Sequence, residues 1–271
     1  MITTQTIGIA GIGAIGARVA RAVDSGSVPG FELCGLSASH PDRLAPLNAD
    51  LTRPQPFLTF DEMADRCDWV LEALPPSLFA DLAEPVLKAG KTLVVMSCSQ
   101  LLQRGDLIDL AKQTGARIVV PSGAMLGLDA LKAVAVGRID SVVIETRKPV
   151  AGLQNAPYLA KAGLDLTGLT EPMQIIEGSV SEVAKAFPAN VNVAAALSLA
   201  GLGPDRTRMQ VWADPTLTRN MHRVHITSDS SDFTMTIQNR PTEENPGTGR
   251  ITPQSVVALL RNRSAALQIG S

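Results

Sequence analysis

Cysteine is scarce in this 271-residue chain, and its three copies do not cooperate. Cys34, Cys67 and Cys98 are odd in number, far apart and without CxxC spacing. That excludes a disulfide framework and a thiolate zinc site, and no other ligand spacing suggests a metal. Cys34 and Cys98 lie in or just after apolar strand-like runs and read as buried thiols. An excess of one charge is missing too. Lys and Arg number 24 against 26 Asp and Glu, scattered rather than blocked, for a formal net charge of −2. Nothing in that balance draws nucleic acid or an anionic membrane. No apolar run approaches the roughly 20 residues that cross a bilayer. The first strand starts within a few residues of Met1, with no basic region leading into an apolar one. No signal peptide is expected, and a cytoplasmic location follows by default.

What is present is an ordinary globular composition, 45% hydrophobic and 18% charged, in a length that suits one large domain or two joined ones. The chain is organised around residues 7–20, IGIAGIGAIGARVA. A short apolar run ends in Gly11-Ile12-Gly13-Ala14-Ile15-Gly16, and an alanine-rich amphipathic stretch follows. That order is strand, tight glycine turn, helix. Gly11 permits the turn, Gly13 leaves bare backbone for a pyrophosphate, and Gly16 lets helix and strand pack closely. The free N–H groups at the helix start then meet the phosphates, with Ala14 and Ile15 in the same loop.

A second strand is expected at 31–36. The residue just beyond it usually meets the adenosine ribose, where Asp or Glu favours NAD. Here the run is Ser37-Ala38-Ser39-His40, then Arg43. No carboxylate stands at the expected place, so NADP is expected to be accepted, with Ser39 and Arg43 as contacts. His40 and Arg43 read equally well as surface residues. Further strands at 69–73, 92–96 and 117–120 alternate with helices near 78–89 and 107–114. This alternation predicts a doubly wound parallel sheet. Strand ends at 74–77, 97–99 and 121–124 should line the cofactor crevice, which makes Leu74 a further cofactor contact.

The pattern changes after Ala124. Alternating runs at 141–147, 174–178, 209–213, 221–227 and 233–238, with an apolar helix at 191–201, predict a mostly antiparallel sheet with helices on one face. The fold class is therefore α/β: a Rossmann-type doubly wound parallel sheet plus a second α+β domain. The expected division is 1–123, joined by a C-terminal helix within 247–271, and 124–246 as the catalytic and dimerisation domain. An amphipathic helix at 253–267 should return to the first domain.

The second half carries two histidines, His222 and His225. Side chains three apart on a strand face opposite sides, so only one points at a given cleft. An imidazole titrates near neutrality and can exchange protons at working pH. Spacing alone does not choose between the two. Several stretches resemble the L-aspartate dehydrogenase family: GIGAIG at 11–16, PSGAMLGLDAL at 121–131, RKP at 147–149, KAFPANVNVAAALSLAGLGPDRTRMQVWADP at 185–215, RNMH at 219–222 and NPGTGRIT at 245–252.

The resemblance implies roles for individual residues. Gly11, Gly13 and Gly16 would hold the dinucleotide, Ala124 would contact it, and Asn190 would bind its nicotinamide side. His222 would be the acid/base residue. It further implies NAD or NADP as cofactor, no metal, oxidative deamination of L-aspartate to oxaloacetate and ammonia or its reverse, and a homodimer built through the second domain's sheet. A dicarboxylate also needs cationic or amide donors. Lys148, Arg147 and Asn192 are candidates, with a surface charge or helix cap as the equal alternative. Two other readings share these residues: a dehydrogenase or imine reductase of the same architecture acting on another small amino or imino acid, and a non-catalytic NAD(P)-binding sensor.

Overall fold

The first strands are apolar on both faces, and the chain buries them in a parallel sheet. In the computed structural model, which describes residues 4–188, 191–243 and 247–270, these are β1 (Gln5–Ala10), β2 (Phe31–Ser37), β3 (Trp69–Glu72), β4 (Thr92–Val95) and β5 (Arg117–Val119). Every residue of β3 and β4 is buried, as a sheet covered on both faces requires. The order is β2-β1-β3-β4-β5, all parallel. One bridge, Leu36 to Phe57, adds a vestigial strand outside β2. The winding reverses between β1 and β3, which opens a crevice at their carboxyl ends.

Helices α1 (Gly16–Asp24), α2 (Ala45–Asp50), α3 (Phe60–Arg66), α4 (Phe79–Lys88) and α5 (Gly105–Thr114) link these strands. Thr59 and Glu62 start α3 with a reciprocal capping box: the Thr59 hydroxyl accepts from the Glu62 N–H and the Glu62 carboxylate accepts from the Thr59 N–H. The last turn of α4 closes through Gly90 at φ 71°, whose N–H reaches the Leu87 carbonyl.

The chain divides into two compact units, Met1–Gly123 with Ile251–Ser271, and Ala124–Arg250. The second holds α6 (Leu128–Val134), β6 (Ile139–Lys148), α7 (Pro157–Ala162), β7 (Met173–Ser179), α8 (Val180–Ala186), α9 (Asn192–Ala200), β8 (Arg208–Ala213), β9 (Met221–Ser228) and β10 (Phe233–Gln238). Its sheet has the order β10-β9-β6-β8-β7. Three pairings are antiparallel, and β6 with β8 is parallel, so the sheet is mixed and mostly antiparallel. Alternation decides which face is buried. Val142, Ile144, Thr146 and Lys148 of β6, His222, Val224 and Ile226 of β9, and Met209, Val211 and Ala213 of β8 all point inward.

The last helix, α10 (Ile251–Ser264), belongs to the first unit. Val256 and Leu260 enter the core formed by Ile7, Ile9, Val19 and Val23, and the Ser264 hydroxyl donates to the Pro29 carbonyl at 2.6 Å. The helix stops at Ser264, short of the expected 267, and Leu267 is exposed. Four short helices, α2, α6, α7 and α8, were not expected from sequence. Each is six or seven residues long, too few for an apolar stripe to repeat.

Candidate functional site

Each glycine of the β1–α1 turn is required for a different reason. Gly11 has φ +92°, and a Cβ there would strike the Ala73 carbonyl. A Cβ on Gly16 would run into the Gly11 carbonyl and come within 3.1 Å of Ile9. Gly13 faces open space: a Cβ would meet nothing within 4 Å. The turn is held by the Gly11 N–H on the Ser37 carbonyl at 2.9 Å and the Ala17 N–H on the Gly13 carbonyl at 3.0 Å. No side chain caps α1.

This turn forms one wall of a cleft of about 810 Å³. Gly11, Gly13, Ser39, Arg43 and Leu74 all line it, as do Asp42 and Ala73. Ala14 and Ile15 complete the loop, and Gly16 opens α1. Arg21 at the cleft is paired with Asp50 at 2.7 Å. Arg43 is exposed and enters none of the ion pairs found among the described residues.

Sequence reasoning passed over Glu72, the last residue of β3. It is fully buried. Its Oε1 accepts from the Leu74 N–H at 2.9 Å and the Ser97 hydroxyl at 2.9 Å. Its Oε2 accepts from the Met96 N–H at 3.0 Å and the Ser97 N–H at 2.8 Å. Burial pushes its pKa up against the pull of those donors. Cys98, buried beside it, is pushed up to about 12, first by burial and then by the Glu72 charge.

The second unit gathers a different set. Antiparallel register sets Thr146 opposite His222, and the Thr146 Oγ1 and His222 Nδ1 are 3.0 Å apart. Both are buried, at 1% and 6% exposure. Lys148, two residues along the same face of β6, is also buried. Burial lowers the Lys148 pKa from 10.5 to about 8. Burial, and then the Lys148 charge, lowers that of His222 from 6.5 to about 4. The imidazole is therefore neutral in the resting protein, while most of the Lys148 ammonium remains charged at neutral pH. Thr146 had no sequence signal beyond alternation along β6.

His225 stands on the opposite face, exposed, with Nδ1 at 2.9 Å from Thr234 Oγ1. Arg147 also points away from Lys148. It pairs with Glu145 at 2.8 Å and Asp214 at 3.3 Å and lies 4.9 Å from the Trp212 ring centre. Its guanidinium is therefore engaged on the other face, which removes it as a candidate beside Lys148. The Ala124 carbonyl accepts from the Asn239 side chain at 3.2 Å. Asn192 is exposed as the first residue of α9. Asn190 lies outside the described residues. Among the described residues no cluster of three His, Cys, Asp or Glu gathers to hold a metal, and no helix is long and apolar enough to cross a membrane.

Residues 11–121 match the NAD-binding domain of homoserine dehydrogenase. Residues 129–263 match the C-terminal domain of aspartate dehydrogenase. The chain is 46% identical over 265 residues to L-aspartate dehydrogenase of Bradyrhizobium diazoefficiens, covering 98% of this chain and 94% of that one. It is equally similar to L-aspartate dehydrogenase 3 of Bordetella bronchiseptica, covering 98% and 97%. The crystal structure of aspartate dehydrogenase from Thermotoga maritima superposes with a TM-score of 0.72 at 25% identity, covering 98% of this chain and 99% of that one. Full-length identity at this level is decisive: the chain belongs to the L-aspartate dehydrogenase family.

Proposed function

We propose that the protein is an NAD(P)-dependent L-aspartate dehydrogenase. It converts L-aspartate, water and the oxidised dinucleotide to oxaloacetate, ammonium, the reduced dinucleotide and a proton through iminosuccinate, and runs the reverse reductive amination. The observation that carries this reading is the buried triad Thr146, Lys148 and His222 in a member of this family. A lysine and a histidine on the core face of a sheet are expensive to bury, and such perturbed groups cluster at sites of chemistry.

The glycine turn fits a dinucleotide. Gly13 leaves the space that a pyrophosphate needs against bare backbone. Gly11, Gly13, Ala14, Ile15 and Gly16 would hold the phosphates, Ser39 and Arg43 the ribose end, and Leu74, Ala124 and Asn190 the remainder. When bound, the nicotinamide supplies the hydride chemistry. Lys148 binds a substrate carboxylate through its ammonium, with Asn192 as a second donor. A docked dianion offsets the Lys148 charge and raises the His222 basicity from its resting value. Nε2 of His222 then takes a proton from the water that attacks the imine carbon, and returns it to the departing ammonia. Thr146 holds Nδ1 and so fixes which nitrogen faces the substrate.

Further parts of the reading are a homodimer built through the second unit's sheet, a cytoplasmic location and a role in NAD biosynthesis. Use of NADP alongside NAD rests on Arg43 at the cleft. The test is absorbance at 340 nm with oxaloacetate and ammonium, first with NADH and then with NADPH. Ammonium-dependent oxidation is expected with both. Tight NAD(P)H binding without turnover would favour another imino acid or the sensor reading.

A further inference from the structure

A buried carboxylate without a cation beside it is costly, because its charge has left water for a low-dielectric interior. Glu72 is such a group. It is fully buried, and none of the ion pairs among the described residues includes it. All four of its neighbours are donors, three of them backbone N–H groups. Oε2 meets two backbone donors and has no place for a proton. The three fixed backbone donors favour the ionised form against the upward push of burial on its pKa.

Its place gives that charge a purpose. Glu72 ends β3 and is bonded to the residues that follow β4. Ala73, Leu74 and Pro75, the next three residues, line the cleft beside the glycine turn. In a doubly wound sheet this carboxyl edge is where ligands lie. The two redox forms of the cofactor differ in one electrostatic respect: the oxidised nicotinamide ring is a cation and the reduced ring is neutral.

We propose that Glu72 supplies a fixed negative charge that favours the oxidised dinucleotide over the reduced one. Its carboxylate acts at a distance and through the Leu74 and Ser97 segments that it ties together, so it is a positioning residue. On the enzyme, stabilising the oxidised ring favours the direction that produces it, which is reductive amination. The proposal rests on cofactor binding by the first unit and is independent of the roles given to His222 and Lys148.

The test is equilibrium binding of NAD+ and of NADH, followed by protein and NADH fluorescence, in the full-length wild type, Glu72→Gln and Glu72→Asp. Gln keeps the volume and removes the charge: its amide at the Oε1 position donates to the Ser97 hydroxyl and gives up the bond from the Leu74 N–H. In Glu72→Gln the NAD+ dissociation constant should rise about tenfold while that of NADH changes about twofold or less. Glu72→Asp should keep the wild-type ratio even where both affinities fall. Ser97→Ala, which loosens the clamp and leaves the charge, should also keep it. Equal changes for both forms, an unchanged ratio in Glu72→Gln, or a shift in Ser97→Ala as large as in Glu72→Gln would overturn the proposal. If Glu72→Gln fails to fold by circular dichroism, Glu72→Met, which has similar volume and neither charge nor amide donors, takes its place with the same expected ratio. Wild type that binds neither form would instead refute the cofactor reading itself.

Discussion

At the β1–α1 turn the first unit clears side chains out of the way, and on β6 and β9 the second unit buries polar ones. Gly11, Gly13 and Gly16 expose backbone and leave room. Thr146, Lys148 and His222 fill an inward face with groups that would rather be in water. A dinucleotide is large and anionic, and backbone N–H groups at a helix start recognise it with little pKa tuning. Proton transfer and dicarboxylate binding need side chains whose pKa values are moved, and burial moves them. One site is therefore compatible with stability, while the other is a cost that the rest of the sheet must offset.

The largest effect should come from the second unit and leave the first untouched. His222→Ala should lower kcat by about 100-fold or more, with the NADH dissociation constant within about twofold of wild type. Single-site kinetics and a fluorescence titration measure the two together. A loss of cofactor affinity that matched the loss of turnover would erase the division of labour.

Lys148→Met sharpens the contrast because function and stability should move in opposite directions. Without the ammonium, kcat/KM for aspartate should fall by about 30-fold, mainly through KM. Stability should rise. The folded-state pKa of Lys148 is lowered from 10.5 to about 8, so between those values the unfolded chain holds a proton that the folded chain does not. Wild-type stability therefore increases with pH across that window, and at pH 7 the full penalty is present. The substitution should relieve on the order of 3 kcal/mol at pH 7, read as a raised melting temperature. Its advantage should shrink as pH climbs from 8 to 10.5. His222 works in the other window. Its depressed pKa means that wild-type stability falls as pH drops from 6.5 to about 4. Wild-type kcat/KM should fall above about pH 8 as Lys148 loses its proton.

Within the first unit, two glycines of one turn separate binding from folding. Gly13→Val should fold like wild type, since a Cβ at Gly13 meets nothing within 4 Å, and should weaken dinucleotide binding about tenfold by occupying the pyrophosphate's space. Gly16→Ala should instead lower the melting temperature, because its Cβ runs into the Gly11 carbonyl. Loss of stability in Gly13→Val, with binding intact, would remove the reason for calling the open space a phosphate site.

How much of this could be read in advance follows the same contrast. The glycine turn was legible because its requirements are local and each glycine speaks for itself. The strands of both sheets were legible through apolar runs and alternation, and alternation also separated His222 from His225. Partners across strands were not. Glu72 looked like a charge at the end of an apolar strand, and its four donors come from Leu74, Met96 and Ser97, three of them on the two residues that follow another strand. Thr146 looked like a filler residue until antiparallel register set it against His222. The parallel pairing of β6 with β8 was hidden because nothing in either strand names its neighbour.

The smallest expected effect lies at the ribose end of the cleft, where Arg43 and Asp42 both line the wall. A 2′-phosphate adds negative charge that a guanidinium would bind, whereas a carboxylate there would accept from a free 2′-hydroxyl. Arg43 is exposed, so solvent screens its attraction and limits it to about a factor of five. Arg43→Ala should weaken NADPH by that factor and leave NADH within about 1.5-fold. The ratio of the two dissociation constants, measured at 50 mM and again at 300 mM salt, is the decisive quantity. The NADPH loss should shrink at high salt if charge is the cause. If both cofactors weaken equally, Arg43 shapes the wall without reading the phosphate, and the adenosine end of the first unit recognises its ligand by backbone and shape alone.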